Sequence, residues 1–134
     1  NVIFHDPIDK LKLSGLMASA DIGLQVLENI PAFYYGTSPN KFFDYISAGL
    51  PVLNNYPGWL SELINEYDCG FTVLPDDTTS FSDTLETIAN DRSVLTVKSN
   101  NAKKLANEKF DRKILTFDLV KKLEIVHSKK MRHK

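Results

Sequence analysis

Ser38-Pro39-Asn40-Lys41-Phe42-Phe43-Asp44-Tyr45-Ile46-Ser47-Ala48-Gly49-Leu50-Pro51 is the stretch that decides how this chain reads. Ser38 carries the hydroxyl of a helix N-cap, and Pro39 fits the first helical position, where its missing N–H leaves nothing unsatisfied. Phe42, Phe43, Tyr45 and Ile46 supply apolar faces. Gly49 suits a left-handed C-cap, and Pro51 follows it closely. The spacing predicts a helix of about ten residues, closed at both ends by its own chemistry, then a strand over Pro51–Leu53.

Toward the N-terminus, Asn1-Val2-Ile3-Phe4 reads as a strand closed by the turn His5-Asp6-Pro7. Leu11, Leu13, Leu16 and Met17 recur at helical spacing, with Asp9 as N-cap and an end near Ala20-Asp21. Ile22 to Leu27 reads as a buried strand. Glu28 to Gly36 has no clear period, holds Pro31, Phe33, Tyr34 and Tyr35, and reads as a loop.

Toward the C-terminus, Pro57-Gly58 makes a turn before a helix over Trp59–Tyr67, with Leu60, Leu63 and Ile64 inward and Gly70 ending it. Phe71 to Leu74 is a further buried strand, and Pro75-Asp76-Asp77 turns the chain again. Ser80 to Asn90 is amphipathic through Phe81, Leu85 and Ile88. Two more helices are expected over 93–109 and 112–127, with Phe110-Asp111 between them. Strands that alternate with helices predict an α/β layer built on a parallel sheet.

The 134 residues suit one domain, with 43% hydrophobic and 25% charged residues, as in ordinary globular proteins. A formal net charge of −1 gives no global pull toward nucleic acid. Cys69 is the only cysteine, which excludes an internal disulfide and a cysteine-cluster metal site and fits a reducing, cytoplasmic setting. No apolar run approaches the ~20 residues of a membrane span. A chain that opens on a strand without an initiator Met is expected to be a fragment, with its folded domain over 1–127. From Lys121 onward six Lys or Arg residues stand against the single acid Glu124. Residues 128–134 are expected to be a frayed basic tail, or else a basic foot near an anionic inner-membrane surface.

Candidate chemistry sits at the start of the bracketed helix. A helix N-terminus exposes unpaired N–H groups and the positive end of the dipole, so it suits phosphate. Gly36 allows close backbone approach, Thr37 and Ser38 add hydroxyl donors, and Lys41 adds charge. Asp44 lies about one turn further, on the face of Lys41, where a carboxylate can accept from a vicinal diol such as ribose. Phosphate donors followed by a diol acceptor describe a nucleotide site. The bland alternative is helix punctuation with Lys41 and Asp44 as a surface pair.

Tyr35-Gly36-Thr37-Ser38-Pro39-Asn40-Lys41-Phe42-Phe43-Asp44-Tyr45-Ile46-Ser47-Ala48-Gly49-Leu50-Pro51-Val52 closely resembles the donor-binding signature of the glycosyltransferase family 4 group. These are retaining GT-B enzymes, and the likeness is to the branch that builds bacterial surface polysaccharides such as capsule. Asn1 to Phe4 with Asp6-Pro7-Ile8, Ser19 to Leu24, Gly58 to Ile64 and Cys69 to Val73 resemble the family's flanking segments. Order and spacing hold over about residues 1–126.

The resemblance implies a Rossmann-like parallel sheet flanked by helices, the C-terminal half of a GT-B fold truncated at its N-terminus. It implies transfer of a sugar from a nucleoside-diphosphate donor to a polysaccharide or lipid-linked acceptor, with retention. Asp44 would hold the ribose hydroxyls, and Gly36, Thr37, Ser38, Asn40 and Lys41 would meet the diphosphate and sugar. Ile8 would give a backbone contact near the base. No metal and no cofactor beyond the nucleotide sugar is implied. Where the broad family has two glutamates, this chain has Gly36 and the shorter Asp44. The family's basic pair and its acceptor-binding domain correspond to sequence upstream, so the catalytic residues are not assigned and these residues alone are expected to transfer no sugar.

Other candidates are weaker. His5 and His127 lack partners of metal-ligand spacing, Ser14, Ser47 and Ser61 lack a nucleophile elbow, and Asp76-Asp77 is turn chemistry. Glu62 fits a solvated face. Trp59 fits the core better than the sugar side of the cleft, while Phe33, Tyr34 and Tyr35 suit either a cover for the donor or packing against the other domain. A nucleotide-sugar epimerase on the same scaffold and a non-catalytic α/β binding module are the alternatives.

Overall fold

Three short parallel strands joined by two helical crossovers organise the computed structural model, which describes residues 2–131. In chain order the elements are α1 (Lys10–Ala18), β1 (Gly23–Gln25), α2 (Ala32–Gly36), α3 (Asn40–Ala48) and β2 (Val52–Asn54). They are followed by α4 (Trp59–Tyr67), β3 (Gly70–Thr72), α5 (Thr78–Asn90), α6 (Ser93–Lys109) and α7 (Arg112–Met131). The chain is thus α/β, with a small parallel sheet flanked by helices.

The strands lie in the order β1-β2-β3, with Gly23 opposite Val52 and Val52 opposite Gly70. Because the order advances in one direction, right-handed crossovers place α3 and α4 on the same face. Helix α6 then packs on both. The core forms between these layers from Phe42 and Ile46 of α3, Val52 of β2, Leu60 and Ile64 of α4, and Ala102 and Leu105 of α6, all fully buried. Burying each of these larger aliphatic or aromatic side chains stabilises the fold by about 1.5–3 kcal/mol.

Helix α3 ends as its sequence dictates. Gly49 adopts φ 78°, and its N–H donates to the carbonyls of Ile46 and Tyr45, a left-handed cap that side chains with a Cβ resist. Its start differs from expectation. Pro39 is the N-cap, the helix begins at Asn40, and no side chain caps it, so Ser38 lies one residue too early to serve.

Several other boundaries also differ. Val2, Ile3 and Phe4 form no strand and are 75%, 78% and 94% exposed, because no strand among the described residues pairs with them. Asn1 lies outside the described residues. Helix α1 forms with Asp9 as N-cap, but none of its apolar residues is buried. Within the expected loop Glu28–Gly36, one short helix, α2, forms after Pro31. Strand β2 runs Val52–Asn54, one residue later than Pro51–Leu53, since proline has no ladder donor. Asp68 at φ 50°, and not Gly70, ends α4, while Gly70 opens β3. Leu74 lies past β3 and is exposed. Asp77 caps α5, which begins at Thr78, two residues before the expected start at Ser80.

Helix α6 matches its expected bounds, and α7 continues through Met131, so the expected frayed tail is helical as far as it is described. Residues 132–134 lie outside the described residues. Of these two helices α6 contributes buried side chains to the core and α7 contributes none among the described residues. Along α7 the apolar side chains Leu115, Leu119, Leu123 and Val126 make one stripe and Ile114, Phe117 and Ile125 another, and all are exposed. Among the described residues no helix is long and apolar enough to cross a membrane.

Candidate functional site

The N-terminal end of α3 lies at the carboxyl edge of the sheet, because α3 is the crossover that leaves β1 and returns as β2. Asn40, Phe43, Asp44 and Ser47 fall on one side of it, at i, i+3, i+4 and i+7. This side opens into a cleft of about 490 Å³. Lys10 of α1 borders the cleft, as do Phe110, Arg112 and Leu115 from the junction of α6 and α7. Its size falls within the roughly 300–1,000 Å³ of small-molecule sites.

Asp44 is half-buried, and its carboxylate lies 3.4 Å from the Lys10 ammonium. Lys41 forms no ion pair among the described residues, so the surface pair of Lys41 with Asp44 that was the bland alternative does not form, and Asp44 pairs with α1 instead. Asp44 also acts on its neighbour. Burial first, and then the Asp44 charge, push the Tyr45 phenol above its ordinary range.

Of the sequence-predicted contacts, Asn40 and Asp44 meet in this cleft, while Gly36, Thr37, Ser38 and Lys41 do not line it. Ile8 is exposed and does not line it either. Thr37 is held in place by its own bonds. Its hydroxyl donates to the Phe33 carbonyl at 2.7 Å, and its carbonyl accepts from the Trp59 indole N–H at 2.8 Å. Trp59 packs its ring beside Phe42 and Phe43, which matches its expected place against the core.

The connection from β2 to α4 braces the same turn. Gly58 stands at φ 112° with the Tyr34 carbonyl so close that an added Cβ would collide with its oxygen. Nearby, Tyr35 donates to Glu62 at 2.7 Å, and that bond raises the Tyr35 pKa. Glu62, expected on a solvated face, thus ties α4 to α2.

Below these loops the sheet carries buried polarity that was not foreseen. Gln25 and Asn54 are register partners and fully buried. The Gln25 amide donates to the Tyr56 hydroxyl at 3.1 Å, and the Asn54 amide donates to the Tyr56 carbonyl. Burial raises the Tyr56 pKa, against a smaller opposing effect of the Gln25 bond.

Lys10 and Arg112 escaped the sequence reading because they reach the cleft from remote parts of the chain. For Arg112 a signal existed. It stands in the first turn of a helix that has no acid there, where a cation opposes the dipole.

A second hollow, of about 450 Å³, lies between Phe71 and α5. Its lining holds Asp77, Asp83 and hydroxyl side chains but no cation, so it is ill suited to an anion. Among the described residues no group of three or more His, Cys, Asp or Glu side chains is placed to hold a metal ion. No protein-family model matches the chain, and no curated protein matches it.

Proposed function

We propose that this chain is the nucleotide-sugar-binding part of a retaining glycosyltransferase of the GT-B kind, with a Rossmann-like sheet. It seats the nucleoside-diphosphate end of a donor whose sugar passes to a polysaccharide or lipid-linked acceptor on the cytoplasmic side of a bacterial membrane. The resemblance of the Tyr35–Val52 run to the donor signature motivates the proposal. One geometric observation supports it. Asp44 and Asn40 share the side of a crossover helix that starts at the carboxyl edge of a parallel sheet and faces a ligand-sized cleft. Ligands of open α/β sheets gather at that edge. In this role the chain contributes positioning and charge stabilisation of the departing diphosphate.

Titration of the chain with UDP, GDP and ADP, followed by NMR or calorimetry, tests this. One nucleotide is expected to bind, and Asp44→Ala is expected to abolish the binding. A folded chain that binds none of the three at millimolar concentration would overturn the proposal. Binding indifferent to Asp44→Ala would remove Asp44 as the ribose contact.

A further inference from the structure

We infer that Arg112 is a phosphate-binding residue of the Asp44 cleft, taking the diphosphate of a nucleotide whose ribose diol is held by Asp44. This rests on the nucleotide reading of the cleft and adds to it a residue from the start of the last helix.

Charge is the first ground. The side chains lining the cleft include two cations, Lys10 and Arg112, and one carboxylate, Asp44. Lys10 is already engaged by Asp44, whereas Arg112 forms no ion pair among the described residues. A guanidinium without a carboxylate partner, bordering a cleft, is a ready site for a phosphate, whose oxygens its planar fork matches in pairs.

Placement is the second. Arg112 opens α7 directly after the capping residue Asp111, and this places its side chain on the same cleft as Asn40 of α3, two elements from distant parts of the chain.

Rigidity is the third. Arg112 follows two residues that are both fastened. The Phe110 ring meets Phe43 edge-on with centroids 5.0 Å apart, next to Asp44 in sequence. The Asp111 carboxylate accepts from the Lys113 amide at 2.7 Å and caps the helix. Arg112 is therefore presented to the cleft from a fixed backbone. The donors first expected for phosphate do not compete for this role, since Thr37 uses its hydroxyl on Phe33 and Lys41 does not line the cleft.

The test compares UDP, GDP and ADP with uridine, guanosine and adenosine on the native chain, Arg112→Gln, Arg112→Lys and Asp44→Ala. Arg112 is exposed, so its substitution leaves the core intact, and an unchanged amide NMR spectrum away from the cleft verifies this. Arg112→Gln is expected to weaken the bound diphosphate about tenfold, the size of one charge-assisted contact in a solvated cleft, and to flatten its salt dependence. Nucleoside binding should not change, and Arg112→Lys should recover part of the loss. Native-like diphosphate affinity and salt dependence in Arg112→Gln, with Asp44→Ala still abolishing binding, overturns the inference and leaves the nucleotide reading standing. An equal loss for nucleoside and diphosphate also overturns it, since cleft shape and not charge would then be at issue. A native chain that binds no nucleotide ends both.

Discussion

The Lys10 ammonium and the Asp44 carboxylate, 3.4 Å apart, join a lightly packed N-terminal helix to the crossover helix at the centre of the fold. Side-chain exposures of 77% and 33% set the energetic scale, because solvent screens such a pair. Lys10→Ala is expected to change stability by less than about 0.5 kcal/mol, measured by urea denaturation. A loss above about 2 kcal/mol would show that α1 is held far more firmly than this pair and its exposed side chains allow.

Gly58 is a different matter. At φ 112° and ψ −168° it occupies backbone space that is nearly reserved for glycine, and the Tyr34 carbonyl leaves no room for a Cβ. Gly58→Ala is expected to cost about 2–4 kcal/mol, with the β2–α4 and α2–α3 connections shifting together in amide NMR spectra.

Trp59→Phe separates packing from hydrogen bonding. A phenyl ring keeps much of the contact with Phe42 and Phe43 but cannot donate to the Thr37 carbonyl. A loss of about 1–2 kcal/mol in urea denaturation is expected. The Thr37 and Ser38 amides should exchange with solvent faster than in the native chain, and unchanged exchange would deny that the indole restrains this turn.

Cys69 is fully buried, and burial pushes its thiol up to about 11 from an ordinary 9.0. The unfolded chain ionises first as pH rises, so it binds fewer protons than the folded chain between those two values. The Cys69 contribution to stability should therefore be level below pH 9 and fall as pH climbs toward 11. Cys69→Ala should remove this part of the pH dependence. In the folded chain at pH 8 the thiol should resist alkylation, and it should react readily once urea unfolds the protein.

Elements with their own stop signals were legible in the sequence. Helix α3 ends at Gly49 and α6 spans 93–109 as expected, because cap and period settle both without help from the rest of the fold. The segment Val2–Phe4 was misread for the opposite reason. Apolar residues become a strand only beside a partner, and none is described there. Helix α7 was legible as a helix but not as an exposed one, since apolar residues on two sides specify partners and not where they are. In the cleft, Asp44 was legible from helical spacing, though paired with Lys41, and Asn40 was named only through the resemblance. Lys10 and Arg112 depend on how distant elements pack, and spacing along the chain carries no record of that.

Both ends of the Tyr34–Thr37 segment are clamped by the β2–α4 connection, at Tyr34 by the backbone of Gly58 and at Thr37 by Trp59. Its conformational entropy is surrendered when the chain folds, not when a ligand arrives. The turn that leads into α3 is accordingly set before any ligand reaches the adjoining cleft, and binding there as proposed would carry no ordering cost for this turn.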